Sequence, residues 1–379
     1  MNILILADTN LLSDARIRRH IFTLKEDYNL IVTGIKNPNI DGNIEFIDCS
    51  KDPISAEELK KRRKQLRIRI TNKEFEEAYW GEAYIQKLYK KLENKKFDMI
   101  LANDISMVPL AVKLAKKRNI KIVADMHEYA PRQFEDIDEW RVLFKEFNYY
   151  LCKKYLPICD KVITVSQGIS KEYKKQFNVE SSIITNAPEY TDLNIKKTTD
   201  KIRMVYHGCS NRSRNLYTLL EIVKSLDDRY SLDLYLIKDN DQEYFDKLVE
   251  EIKITPRCHI KEPMQPEEIV KYLHEYDIGI YLLEPKNFNQ KYALPNKFFE
   301  FAQARLAIAI GPSCEMKKYI NKFNCGVISE DFNPKTLAQK LNELTEKEID
   351  NLKINSGIFA KKENFKENKK LLLKIIQNL

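Results

Sequence analysis

The chain is short of glycine, with nine in 379 residues, and it holds only five histidines and seven cysteines. No cysteine pair has Cys-x-x-Cys or zinc-like spacing, which excludes a zinc finger and a dithiol redox centre. Cys152 and Cys159, nearest neighbours on a helix-like stretch, read as reduced thiols that fill space. No run approaches the roughly 18 to 20 apolar residues of a membrane-spanning helix. Met1–Asp8 has neither a basic start nor a small-residue cleavage site, so it reads as a buried first strand and the expected location is cytoplasmic. Repeats of solenoid period and low-complexity tracts are missing too. So are the signatures of a helix-turn-helix, an RNA-recognition sheet or a zinc finger, which counts against a nucleic-acid partner.

What is present points to an α/β protein. An apolar fraction of 43% is enough for buried cores, and 379 residues exceed what one core usually organises, so two domains are expected. A net charge of +8 says only that anionic partners are not repelled. Short apolar runs alternate with longer amphipathic stretches, the pattern of a parallel sheet covered by helices. In the first half the expected strands are Asn2 to Ala7, Leu30 to Gly34, Met99 to Ala102, Lys121 to Asp125 and Lys161 to Val165, with a weaker one near Ile44 to Ile47. In the second half they are Arg203 to Tyr206, Leu232 to Ile237, His259 to Ile260, Ile278 to Leu283 and Leu306 to Ile310. Two sheets are implied, meeting at the polar stretch Tyr190 to Lys201: one domain over residues 1–192 and a second over 200–360. The segment 361–379, with Leu371, Leu372, Ile375 and Ile376 at helical spacing, has no strand to follow and is expected to cross back onto the first domain. Tandem α/β domains create a cleft where the C-terminal ends of both sheets face each other, a usual place for ligands.

The most informative stretch is Ala293–Phe301, which lies between two apolar runs and so forms the loop-to-helix half of a strand-helix-strand unit. Proline favours the first helical position, which places the helix start at Pro295 and leaves Leu294, a poor cap, before it. The first N–H groups of this helix then lack a built-in acceptor, and either water or a diphosphate can serve. Lys297 adds a positive charge in the first turn, where the helix dipole disfavours one unless an anion is near. The Glu300 carboxylate, further in, can accept hydrogen bonds from a ribose diol.

Several segments recur in a familiar order: Asp125-Met126-His127-Glu128, Thr164-Val165-Ser166, Asn186-Ala187-Pro188, Tyr206-His207-Gly208 with Arg214 downstream, Asp277-Ile278-Gly279, and Leu294 to Phe301. From Met1 to about Gly326 the chain resembles the retaining GT-B nucleotide-sugar glycosyltransferases, glycosyltransferase family 4 and its "4-like" group. The resemblance implies two Rossmann-like domains facing across a cleft, the first holding the acceptor and the second the donor, with a terminal helix returning to the first. It implies that Glu300 holds the donor ribose and that Arg214 contacts the diphosphate, with Arg212 and Lys297 as further contacts and Asn296 and Gly208 beside them. It places His127 over the donor sugar. The implied mechanism uses no metal and no other cofactor: cations and helix N–H groups stabilise the departing nucleoside diphosphate, in physical terms an electrostatic stabilisation of developing negative charge.

Two departures stand out. The family's first glutamate, eight positions before the second, falls on Tyr292, which leaves the donor sugar open; Asn289 and Gln290 offer polar groups nearby. The glycine-rich loop after the first strand is replaced by Asp8 to Asp14, so the backbone approaches a ligand less closely and Asn10 or Arg16 is left to bind acceptor or phosphate through its side chain. The run Lys60–Arg69, followed by Tyr79, Trp80 and Tyr84, suits an anionic surface such as a membrane carrying a lipid-linked acceptor, or else is a solvated helix face. The aromatic residues Phe134, Trp140, Phe144 and Phe147 mark a second candidate acceptor region, or core. The expected function is transfer of a sugar, with a UDP-sugar favoured as donor, to a hydroxyl in surface polysaccharide or glycoconjugate synthesis. A nucleotide-sugar epimerase of the same fold and a non-catalytic anion or nucleic-acid binder are the alternatives.

Overall fold

In the computed structural model, which describes residues 1–379 except Asn240, the chain divides into two compact units. The first comprises Met1–Thr185, Asn287–Asn289 and Lys369–Leu379, and the second Asn186–Lys286 and Gln290–Asn368. The division expected from composition is thus displaced by several residues at each end. Residues 361–368 stay with the second unit because the helix Glu346–Lys362 buries Ile349, Leu352 and Phe359 in that unit's core.

In the first unit β1 (Asn2–Leu6), β2 (Asn29–Gly34), β3 (Ile44–Asp48), β4 (Met99–Asn103), β5 (Lys121–Met126), β6 (Lys161–Thr164) and β7 (Ser181–Ile183) form one sheet in the order β3-β2-β1-β4-β5-β6-β7. Every pairing is parallel. The runs Ile3–Leu6 and Ile100–Ala102 are wholly buried, as strands covered on both faces must be, and so read as unbroken apolar runs. The terminal helix Phe365–Gln377 places Leu372, Ile375 and Ile376 in this unit's core, and Lys369 pairs with Glu26.

In the second unit β8 (Ile202–Cys209), β9 (Tyr230–Ile237), β10 (Cys258–Lys261), β11 (Ile278–Tyr281), β12 (Ala307–Ile310) and β13 (Gly326–Ile328) form a second parallel sheet, in the order β10-β9-β8-β11-β12-β13. In each sheet the order of strand addition reverses once, between β1 and β4 and between β8 and β11. Such switch points open a crevice at the carboxyl ends of the strands.

Two local devices fix the helix Asn296–Gln303 over the second switch point. Gly279 leaves room for the Phe301 ring, since a Cβ there would lie 2.3 Å from its Cγ. Asp277 accepts from the Arg203 N–H at 2.9 Å and from Lys353 Nζ at 2.8 Å, which ties β8, β11 and the helix Glu346–Lys362 together. From Lys297 to Gln303 every residue of the helix is buried.

Candidate active site

The second unit gathers charge where β8 ends. Gly208 has a φ of +130°, a region that L side chains avoid, and a Cβ there would meet Lys297 Nζ at 2.9 Å and Arg214 Nη1 at 3.1 Å. Two cations of different elements therefore converge on one bare stretch of backbone. Arg214 is steadied by donating from Nη1 to the Cys209 carbonyl at 3.1 Å.

Lys297 is 5% exposed, and its ammonium nitrogen has no hydrogen-bond acceptor among the described residues. Its nearest company is aromatic: Nζ lies 3.8 Å from the Tyr206 ring centroid and 4.9 Å from that of Tyr281. The ring faces attract a cation, but burial and then the neighbouring Arg214 hold the pKa well below the usual lysine value. An anion placed against Gly208 would satisfy both cations at once.

The helix carrying Lys297 starts one residue later than expected. Pro295 is its extended N-cap, no side chain caps it, and Asn296 is its first residue. Glu300, one turn beyond Lys297, is 8% exposed, with Oε2 at 3.2 Å from His207 Nε2. His207 in turn packs edge-on against Phe301. Gly208, Arg214, Asn296, Lys297 and Glu300 are thus assembled on β8, the segment after it and one helix.

Four other candidates are engaged elsewhere. Arg212 lies on the surface, ion-paired with Asp241 and over the Tyr244 ring, so it does not join Arg214. Arg16 is no open phosphate ligand: Nε and Nη2 donate to Asp125 at 2.7 Å each, and Nη1 donates to the Ile184 carbonyl at 2.8 Å. Asn289 belongs to the first unit, where Oδ1 accepts from the Tyr129 N–H at 2.8 Å and Nδ2 donates to the Tyr129 carbonyl, so it does not address a donor sugar from beside Tyr292. Asn10 forms an isolated bridge to Ile35 and accepts from the Leu12 N–H. Tyr292 is half-buried in the second unit, with Lys291 Nζ 5.6 Å from its ring centroid.

At the first unit's switch point a second charged cluster forms. His127 follows β5, with Nδ1 3.4 Å from Asp104 Oδ2 and Nε2 3.5 Å from Asp125 Oδ2. Burial disfavours the charged ring, but Asp104 and Asp125 outweigh it and raise the pKa to about 9. Asp125 is fully buried; desolvation opposes its charge, yet Arg16, His127 and His20 hold it far below the ordinary carboxylate range. His20, 3.2 Å from Asp125, stays neutral, its pKa lowered to about 4 chiefly by burial. Glu128 is raised to about 7, first by burial and then by Asp104. Asp8 and Asp104 are raised as well, desolvation again leading.

Sequence reasoning gave no role to Asp104, Tyr206 or Tyr281. Asp104 could have been noticed as an Asn-Asp pair ending an apolar run, for Asp104 takes φ +60°, which Asn and Asp tolerate best. The aromatic walls of Lys297 belong to β8 and β11, whose tyrosines read only as strand formers.

Residues 46–189 match the family model of Glycosyltransferase Family 4. Across the chain the fold matches HepE from Anabaena in complex with UDP and glucose, with a TM-score of 0.71 and 13% identity, covering 100% of both chains. It also matches sucrose-phosphate synthase from Thermosynechococcus elongatus and a glycosyltransferase from Rickettsia africae, each at TM-score 0.71 and 12% identity over 100% of this chain and 98% of the other. No curated protein sequence matches significantly. These findings define the class: the chain has the GT-B fold and is a glycosyltransferase. More particularly, its segment 46–189 is similar to Glycosyltransferase Family 4, the family whose resemblance was drawn in part from Asp125 to Pro188.

Proposed function

We propose that the protein moves a sugar from a UDP-sugar to an acceptor hydroxyl, with retention at the anomeric carbon and without a metal. The observation that carries this reading is the convergence of Lys297 and Arg214 on Gly208, one helical turn from Glu300. The diphosphate fits against Gly208, between the two cations and the uncapped start of the helix Asn296–Gln303. Glu300 accepts hydrogen bonds from the ribose diol. As the bond between the anomeric carbon and the diphosphate oxygen breaks, negative charge grows on the leaving group, where Lys297 and Arg214 stabilise it in place. The acceptor oxygen bonds to the carbon from the same face, and its proton passes to the departing phosphate, so no protein base is required. HepE, of like fold, binds UDP and UDP-glucose, which supports a uridine donor.

The acceptor falls to the first unit, where His127 offers a cationic ring. A glycan or lipid-linked acceptor in surface polysaccharide or glycoconjugate assembly suits the basic helix Ala56–Thr71, of which only Ile70 is buried. No helix among the described residues is long and apolar enough to cross a membrane. The reading is therefore of a cytoplasmic protein that touches an anionic membrane face through Lys60 to Arg69.

Calorimetric titration with UDP, GDP, ADP and CDP without added metal tests the central assignment. One nucleotide should bind selectively, and Glu300→Ala should weaken it by about 1–3 kcal/mol, the worth of charge-assisted hydrogen bonds to the diol. Unchanged affinity in that variant removes Glu300 from the site.

A further inference from the structure

The excursion Asn287–Asn289 aside, the chain leaves the first unit after Thr185 and returns to it after Asn368. The outgoing passage, 186–191, and the returning one, 360–368, lie side by side: the Phe365 N–H donates to the Pro188 carbonyl at 2.8 Å. Both also meet the helix Asn296–Gln303, which carries Lys297 and Glu300.

The meeting point is Gln303, the last residue of that helix and 0% exposed. Its Oε1 accepts from the Thr191 N–H on the outgoing passage at 3.2 Å, while Nε2 donates to the returning passage, to the Ala360 carbonyl at 3.0 Å and the Glu363 carbonyl at 3.4 Å. A primary amide accepts with one atom and donates with its neighbour, so a single side chain serves both passages. Arg305, also buried, doubles the bolt: Nη1 donates to the Gln303 carbonyl at 2.7 Å and Nη2 to the Thr191 carbonyl at 2.6 Å. At the other end of the helix Asn186 Nδ2 donates to the Leu294 carbonyl at 3.4 Å.

This is more than the helix needs to hold its own shape. The Ala304 and Arg305 N–H groups already close its last turn onto the Glu300 and Ala302 carbonyls, and Phe298, Phe299 and Phe301 fix its buried face. Gln303 lies one turn from Glu300 and, at the rise of an α-helix, about 9 Å along the axis from Lys297. A helix that short moves as one body. Its start has no side-chain cap, and Lys297 Nζ has no hydrogen-bond acceptor among the described residues, so a bound anion adds restraint at the end opposite Gln303.

We propose that Gln303 is a positioning residue, through which nucleotide bound at Lys297 and Glu300 orders both chain passages. This rests on the diphosphate lying against Gly208. Coupling of this kind is reciprocal, so loosening the passages must weaken nucleotide binding in turn.

The test is amide hydrogen exchange of the full chain with and without saturating UDP, once calorimetry has measured binding. In wild type UDP should slow exchange over 296–300 and also over 186–191 and 360–366, by about fivefold or more, the low end of coupling between sites. Gln303→Met, close in volume and checked for folding by thermal melting, should keep the effect over 296–300, lose it over both passages and bind UDP more weakly. Gln303→Glu keeps the acceptor for Thr191 but lacks the donor, so UDP should still protect 186–191 and no longer 360–366. Protection confined to 296–300 in wild type overturns the coupling, whether or not the variants fold, and leaves the nucleotide site standing. So does a Gln303→Met chain whose passages exchange faster by the same factor with and without UDP, for the amide is then only structural. Failure of wild type to bind UDP overturns the uridine donor reading and this proposal with it.

Discussion

Replacing Lys297 by Met should stabilise the protein without ligand and cripple its binding of nucleotide. The side chain is 5% exposed and its nitrogen has no acceptor among the described residues, so the folded state bears the cost of a buried, unsatisfied polar group, about 1–3 kcal/mol. Methionine fills nearly the same volume, and such swaps usually cost less than about 1.5 kcal/mol. What is lost is attraction to the Tyr206 and Tyr281 rings, which matters only for the charged form. The balance favours the variant by about 1 kcal/mol, a rise of roughly 2–4 °C in the melting temperature of a unit this size. Wild-type stability also carries a pH signature. Because the folded pKa of Lys297 lies below its unfolded value near 10.4, the unfolded chain binds more protons between the two. Stability therefore rises with pH across that window and levels above it, and Lys297→Met removes this slope. With UDP present the order should invert, because a charge-assisted contact worth about 1.5–3 kcal/mol is missing from the variant. The diphosphate must also restore the proton on Lys297, so wild type should take up as much as one proton per UDP, detectable by calorimetry in buffers of different ionisation enthalpy. A variant that melts several degrees lower and still binds UDP fully, with proton uptake intact, would refute the reasoning.

Arg16→Ala strands the Asp125 carboxylate at 0% exposure and should cost about 3–5 kcal/mol in urea denaturation; a loss under 1 kcal/mol would mean His20 or His127 replaces the guanidinium. His127 shows the opposite pH dependence to Lys297. Its folded pKa, about 9, exceeds the unfolded 6.5, so its contribution is complete below pH 6.5 and is lost as pH rises through 9. The difference between wild type and His127→Gln should accordingly shrink by up to about 3 kcal/mol from pH 6 to pH 9.5, and a difference independent of pH would show that the ring is not charged. Charge reversal at Lys60, Lys61, Arg63 and Lys64, all exposed, should abolish sedimentation with phosphatidylglycerol vesicles and leave UDP binding intact. Equal sedimentation with phosphatidylcholine would contradict an electrostatic surface.

The sequence was most legible where burial demands a continuous apolar run. Ile3–Leu6 and Ile278–Tyr281 could be placed as strands because both faces of a parallel strand are covered, and the helix after Pro295 because proline and the following aromatic residues mark its start and its buried face. The strands β7 and β13 escaped because each has three half-buried residues, too few to form a run. Site residues followed a different logic. Lys297 and Glu300 were legible because their charges sit in a helix otherwise made for burial, a local contradiction that only a ligand or a buried partner resolves. Arg16 carries the same kind of contradiction and resolves it through Asp125, 109 positions away, a pairing no local pattern encodes. Arg212 and Arg214 differ by two positions, yet one meets Asp241 on the surface and the other meets Gly208. Residue type names the charge, but only the register of the chain around Gly208 decides which arginine faces an anion.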